Sequence, residues 1–285
     1  MSVCLVTDSA SQLPEAWVEA LGITVLALHE TVDEGEVAAT SGLGPGELED
    51  AYRDLLSEED VTGVVSVHLA SKLSRTWESA TLAASSFGGR VRVVDSENVG
   101  MAFGGAVAQA AALAHAGASL ADVAALAERI VKASSTFIAV DKMDSLRRGG
   151  RVGAAFALFG GALSTKPVLR VRAGNLALAA KTRTVTKALQ KLRQLVRDEL
   201  GGDSLVTVHY SGEPAPAEQL ALEFRKETTF PERVLMVEIE PVLAWHVGDN
   251  AVAVSVCPLE DPDAQLPWVT PGESFGDSPE DLVVE

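Results

Sequence analysis

The chain has 285 residues, 47% apolar and 22% charged, which is enough to bury a sizeable core and excludes a stapled mini-protein, a collagen-like repeat or wholesale disorder. Aromatic residues are only 5%, so Ala, Val and Leu must build the core. With 23 Lys and Arg against 40 Asp and Glu the net charge is −17, and so acidic a surface repels nucleic acid and anionic membranes on average.

Met1 to Leu5 run straight into an apolar strand with no preceding basic region, so a cytoplasmic protein without a signal peptide is expected. Cys4 and Cys257 each sit in an apolar run and read as buried reduced thiols. Residues 98–121 carry no charge, yet Gln109, His115 and four glycines make them a tightly packed soluble helix rather than a lipid-facing one. No stable membrane insertion is expected.

The first half alternates β-branched runs with helix-patterned segments, as parallel βαβ units do. Strands are predicted at 3–7, 23–28, 61–68 and 91–95, and helices at 14–21, 46–56, 73–87 and 100–116. Gly22 and Gly117 act as helix stops, and Ser119 reads as the N-cap of a further helix with Asp122 in its first turn. Three strands end in small polar residues: Thr7-Asp8-Ser9, His68 with Ser71, and Asp95-Ser96. The carboxyl ends of parallel strands form the ligand crevice of such sheets, so these hydroxyls point at a site.

The second half differs. A strand at 137–140 leads to a turn-rich run, 144–153, and then to a Gly/Ala-rich apolar helix. Paired strands at 167–171 and 176–180, a basic helix at 184–200, strands at 205–210 and 234–240 flanking a helix at 216–226, and a last strand at 251–256 complete it. This pattern predicts an α+β second domain starting near residue 160. Residues 259–285 hold eight acids, no base and four prolines, and read as a solvated tail with Trp268 and Phe275 as local docking points.

Charge is unevenly spread. Residues 142–197 hold thirteen Lys and Arg and a single acid, Asp144, so this segment is +12 while the rest is −29. It reads as a face for an anionic ligand, a phosphate or an acidic protein, or else as a basic helix that balances the acidic remainder. Aromatics interleaved with the charges are lacking apart from Phe156 and Phe159, which argues against nucleic acid.

The chain has no G-x-x-x-x-G-K-[ST], no G-x-G-x-x-G after the first strand, no G-x-S-x-G elbow and no H-E-x-x-H. Its five histidines are widely separated and no Cys or His pair has zinc spacing, so no metal is expected. His115 reads as a core residue. His246 lies in a loop-like segment, 241–248, that returns toward the domain junction.

Several runs in order resemble the DegV family, the fatty-acid-binding proteins of the bacterial fatty acid kinase system. They are Val6-Thr7-Asp8-Ser9 with Leu13-Pro14; Thr40-Ser41 with Gly46-Glu47; Ser66 to Ser74 with Thr76; Val94-Asp95-Ser96 with Gly100-Met101; Leu146-Arg-Arg-Gly-Gly-Arg-Val-Gly153; Thr165-Lys166-Pro167; Arg183-Thr184; and His246-Val-Gly248. The resemblance spans residues 3–256, and its most specific part is the Leu-Arg-Arg-Gly-Gly-Arg run.

The resemblance implies an α/β fold in two domains: an N-terminal three-layer α/β/α domain with a parallel sheet, residues 1–160, and a C-terminal α/β domain with a mixed sheet, residues 161–258, followed by the acidic tail. A long-chain fatty acid would lie in an apolar tunnel between them, with no cofactor and no chemistry of the chain's own. A separate ATP-dependent fatty acid kinase subunit would phosphorylate its carboxylate, and the acyl phosphate would feed phospholipid synthesis. By motif position Thr40, Ser74 and His246 would hold the carboxylate, with Ser71, Ser41 and Ser96 nearby, while Arg183, Arg148 and Arg151 would face the kinase or its phosphate. At about 0.8 kcal/mol per buried CH₂, a sixteen-carbon chain gains on the order of 10 kcal/mol by leaving water, before ordering costs.

The chain departs from the family in places. Gly42-Leu43-Gly44 stand where Gln-Pro-Ser is common, and Arg75 stands where a glycine is, which predicts an altered pocket mouth. Two other readings remain open at this point. One is a hydrolase of acyl or phosphoryl esters using Ser and His, which the absent elbow disfavours; the other is an interaction module using the basic face.

Overall fold

The computed structural model describes residues 2–33, 36–151, 165–260 and 266–267. The chain begins with β1 (Ser2–Asp8), α1 (Glu15–Ala20), β2 (Thr24–Leu26), β3 (His29–Asp33) and β4 (Glu36–Ser41). It continues through α2 (Pro45–Ser57), β5 (Val61–His68), α3 (Thr76–Ala84), β6 (Val91–Asp95), α4 (Met101–His115) and α5 (Leu120–Ala133). Strands β2-β1-β5-β6 form an all-parallel sheet. Covered on both faces, its central strands are near-continuous apolar runs: Leu5, Val6, Val64, Val65 and Val67 are all buried.

The second sheet has six strands in the order β11-β10-β12-β7-β8-β9. They are β7 (Ser135–Ala139), β8 (Lys166–Arg172), β9 (Asn175–Thr182), β10 (Ser204–Tyr210), β11 (Val234–Glu238) and β12 (Val252–Pro258). Between them run α6 (Asp144–Arg148), α7 (Val185–Glu199), α8 (Ala215–Glu227) and α9 (Pro241–Val247). Only β10 with β11 is parallel; the other pairs are antiparallel, so the sheet is mixed. Alternation divides its faces. Phe137, Val168, Val206, Val208 and Val254 pack under α7 and α8 with Leu192, Leu220 and Phe224, while Ile138, Leu169, Val171 and Ala253 face Leu146 of α6.

Helix α4 explains the charge-free stretch. It packs against β1 on one side and β12 on the other, so nearly every position is buried and no polar face is needed. A Cβ at Gly105 would lie 2.8 Å from Cys257 Sγ, and one at Gly104 would collide with the Ser11 carbonyl, so glycine permits the close approach of both neighbours. Among the described residues no helix is long and apolar enough to cross a membrane. Ser119 caps α5 by accepting from Asp122 N–H at 3.2 Å, as its sequence position predicted.

The structure adds to the sequence-based expectations and corrects some of them. The strand near 137 belongs to the second sheet, between β12 and β8, so sheet membership changes before Ser135. His29–Asp33 and Glu36–Ser41 pair as antiparallel strands, β3 and β4, that no alternation of apolar residues announced. The segment around His246 is the short helix α9 rather than a loop, started by Pro241 at its first position, and the turn-rich run contains α6. The tail is docked at its start, where Leu259 and Leu266 join the first core. The Gly/Ala-rich helix expected after Gly153, residue 160 itself, and Trp268 and Phe275 lie outside the described residues.

The basic segment is partly consumed by packing. Arg193 pairs with Glu223 and Glu227 of α8, Arg197 with Glu227, Arg170 with Glu199, and Lys166 with Asp141. These pairs balance acidic neighbours across α7, α8 and the sheet.

Candidate ligand-binding site

A cavity opens where the carboxyl ends of the parallel strands face the second sheet; its empty space, open mouth included, is about 880 Å³. Leu28, Leu69 and Val99 enter from the segments that follow β2, β5 and β6. Ile138, Leu176 and Ala253 come from the second sheet, Leu146 from α6, and Val242, Leu243 and Val247 from α9. The wall runs from Leu176 on β9 to His209 on β10, crossing four strand intervals of about 4.8 Å, or roughly 19 Å.

Polar side chains converge on this apolar wall. Thr40, brought in by β4, has its Oγ1 2.8 Å from His246 Nε2 at the end of α9. Ser74 Oγ lies 2.9 Å from Thr76 Oγ1 at the start of α3. Thr76 N–H donates to Ser74 Oγ at 3.3 Å and Leu43 N–H to Thr76 Oγ1 at 3.3 Å. With one hydroxyl proton shared between Ser74 and Thr76, the other is left to give away. A Cβ at Gly42 would stand 2.6 Å from Thr76 Oγ1 and 2.7 Å from Ser74 Oγ, so glycine is what lets the chain after β4 close on this hydroxyl pair.

Arg151 is the cation of the site. It lines the cavity and donates through Nε to the Leu73 carbonyl at 3.1 Å and through Nη1 to the Gly149 carbonyl. Burial, and then the neighbouring Arg151 charge, pull the His246 imidazole down to about 4. It is therefore neutral near pH 7. Its Nδ1 is buried, has no hydrogen-bond partner among the described residues and sits against Gly149, where a Cβ would collide with the ring.

Of the residues expected at the carboxylate, the structure brings Thr40, Ser41, Ser74 and His246 to the cavity wall. Ser71 and Ser96 are not on it: Ser96 is buried, with its Oγ donating to Asn98 O at 3.1 Å, and Ser71 N–H donates to Asp95 at 3.1 Å. Both serve the turns after β5 and β6. Arg151, expected to face a partner, lines the cavity instead, whereas Arg148 and Arg183 are exposed and do not line it. Arg148 lies 5.6 Å over the Trp245 ring. Arg75 is exposed and takes no part in the wall. Gln12, Thr136 and His209 also line the cavity, although none carries a motif: Gln12 follows a polar turn, and Thr136 and His209 lie within largely apolar strands.

The hydrolase reading meets two obstacles. Among the described residues His246 has no carboxylate on Nδ1 to orient it, and an imidazole held near 4 is a weak base. A Ser–His–Asp row does exist, Ser66 Oγ to His68 Nε2 at 2.7 Å and His68 Nδ1 to Asp8 at 2.9 Å, extended by Tyr52 O–H to Ser66 at 2.8 Å. All four are completely buried, so no substrate reaches them. Asp8 also accepts from Leu69 N–H at 3.0 Å and Ala10 N–H at 3.1 Å, which fixes the turns that carry Leu69 and Gln12 into the cavity. Among the described residues no group of His, Cys, Asp and Glu could hold a metal ion.

The family model described as "Uncharacterised protein, DegV family" matches residues 27–259. A DegV domain-containing protein of Corynebacterium glutamicum is 37% identical, over 90% of this chain and 93% of its own. The crystal structure of a DegV family protein from C. glutamicum is similar with a TM-score of 0.84 at 36% identity, covering 90% of this chain and 98% of that one. A Thermus thermophilus DegV family protein described for its fatty acid binding gives 0.83 at 30% identity, covering 91% and 100%. Bacillus subtilis DegV, a fatty acid binding protein, gives 0.79 at 26%, covering 91% and 100%. With the family model and full-length relatives agreeing over most of its length, the chain belongs to the DegV family.

Proposed function

We propose that this protein holds one long-chain fatty acid in the cavity and presents its carboxylate to a separate fatty acid kinase. The observation that carries the reading is an apolar wall interrupted at one place by the Thr40 and Ser74 hydroxyls and a guanidinium. Thr40 Oγ1 lies 2.8 Å from His246 Nε2 and Ser74 Oγ 2.9 Å from Thr76 Oγ1; in this reading Nε2–H and the Thr76 hydroxyl donate, so the Thr40 and Ser74 protons go to the ligand. Arg151 supplies the countercharge, since a carboxylate in so apolar a site is costly without one. Bonds of about 1.5 Å meeting at about 111° advance an extended chain about 1.25 Å each, so a sixteen-carbon acid needs roughly 19 Å of apolar wall when extended. The relatives described as fatty-acid-binding support the same ligand class.

In this reading the chain has no catalytic residue. The kinase moves the γ-phosphoryl of ATP onto a carboxylate oxygen, releasing ADP, and the acyl phosphate goes on to phospholipid synthesis in the cytoplasm. Exposed Arg183 and Arg148 face the kinase. Native mass spectrometry after incubation with palmitic acid tests the ligand: one bound acyl chain is expected, and a protein that stays empty refutes the reading. For the partner, Arg183→Ala should keep palmitate binding and lower acyl phosphate formation by kinase and ATP. Equal loss of both would refute that division of roles.

A further inference from the structure

One end of the cavity carries polar groups that carboxylate binding does not use. Glu240 N–H donates to Gln12 Oε1 at 3.2 Å and so pins the start of α9, while His246 lies six residues on, about 9 Å along the helix. Gly100 N–H donates to Ala10 O at 2.8 Å and Met101 N–H to His209 Nε2 at 3.4 Å, so Gln12, Gly100 and His209 gather at this end, away from His246. All three line the cavity.

His209 is buried and held neutral, because burial pulls its imidazole down to about 3. Nε2 accepts from Met101 N–H and lies 3.1 Å from Ser255 Oγ, so the ring proton sits on Nδ1. Among the described residues Nδ1 has no hydrogen-bond partner, and the ring it belongs to lines the cavity. Gln12 is held in the left-handed region, φ 56°, and spends one amide N–H on Ser9 O at 3.4 Å, which leaves its second N–H for a ligand. A plain hydrocarbon chain leaves both donors unmet in an apolar wall, which is costly.

We infer that this end of the cavity recognises an oxygen atom on the acyl chain, so that the preferred ligands are hydroxylated or otherwise oxygenated long-chain fatty acids. The inference rests on the fatty-acid reading above. At about 1.25 Å per bond the 9 Å along α9 corresponds to roughly seven bonds, which places the oxygen beyond about the seventh carbon. The oxygen accepts from His209 Nδ1–H and from the free Gln12 amide.

Isothermal titration with octadecanoic, 10-hydroxyoctadecanoic and 10-methyloctadecanoic acids tests it, the methyl acid matching the hydroxy acid in shape. The hydroxy acid should bind about tenfold more tightly than the methyl acid, and His209→Leu should abolish or reverse that preference. The wild-type ratio stands on its own should the Leu variant not fold. Equal affinities for the hydroxy and methyl acids, as expected of a cavity end that merely holds water, overturn this inference and leave the fatty-acid reading intact. Failure of all three acids to bind overturns both.

Discussion

Gly42→Ala is the most direct test of the carboxylate end. Gly42 does not occupy the left-handed region, so alanine costs nothing in backbone strain and gains about 0.4–1 kcal/mol by restricting the unfolded chain. Against this, the new Cβ would stand 2.6 Å from Thr76 Oγ1, 2.7 Å from Ser74 Oγ and 3.3 Å from Thr76 N, and such overpacking costs about 1–3 kcal/mol. The hydroxyls give way before the helix backbone does, so Ser74 turns from the cavity and one ligand hydrogen bond is lost. That is worth about 1–1.5 kcal/mol, or roughly tenfold in palmitate affinity. Urea unfolding and titration with palmitate read the two effects separately. Adding Ser74→Ala removes one of the clashing atoms, so the double variant should be more stable than the sum of the singles by about 0.5 kcal/mol or more. If Gly42→Ala loses stability yet binds palmitate as the wild type does, the Ser74–Thr76 pair is not the carboxylate site.

Three further outcomes follow from named contacts. Arg151→Gln should weaken palmitate about tenfold or more, because a hydrogen bond to a charged group contributes about 1.5–3 kcal/mol, while hexadecanol binding stays as it was; equal losses for acid and alcohol would refute the countercharge role. The His209 imidazole lies at about 3 in the fold against 6.5 for an unperturbed histidine, so the unfolded chain takes up that proton first. Its contribution is fully present above about pH 6.5 and falls by up to about 1.4 kcal/mol per pH unit as the pH drops toward 3. His209→Gln should remove that component from the pH dependence of the urea midpoint between about pH 7.5 and 4.5, and an unchanged slope would refute it. Asp8→Ala strands His68 Nδ1, Leu69 N–H and Ala10 N–H in the interior, at about 1–3 kcal/mol each, so chemical denaturation should show a loss of about 3 kcal/mol or more; a loss below about 1 kcal/mol would mean that Asp8 does not anchor the turns.

Periodicity reached furthest where burial is two-sided. The continuous apolar runs of β1 and β5 and the charge-free α4 were legible because both faces of each element are covered, which leaves no polar stripe to confuse the pattern. The motif positions of Thr40, Ser74 and His246 were legible through the family resemblance. The strand pair that carries Thr40 was not, because its strands are largely exposed and have no buried face to make apolar residues alternate.

The chain by itself determined the α/β class, the order of most elements, the family and the residue types proposed to hold the carboxylate, since these rest on local patterning and short contiguous runs. Only the tertiary structure decided which of them meet. Thr40 and His246 are 206 positions apart and touch; Ser71 and Ser96 stand within the motifs yet serve turns away from the cavity wall; Arg151 lines the cavity while Arg148, three residues earlier, is exposed. Those outcomes depend on how two sheets and the short helices α6 and α9 pack, a long-range geometry that neither spacing nor residue type encodes locally. His209 shows the limit most plainly: in sequence it is one polar residue in a largely apolar strand, and only the register of β10 against β12 and the approach of α4 bring its ring to the cavity wall with Nδ1 lacking a hydrogen-bond partner among the described residues.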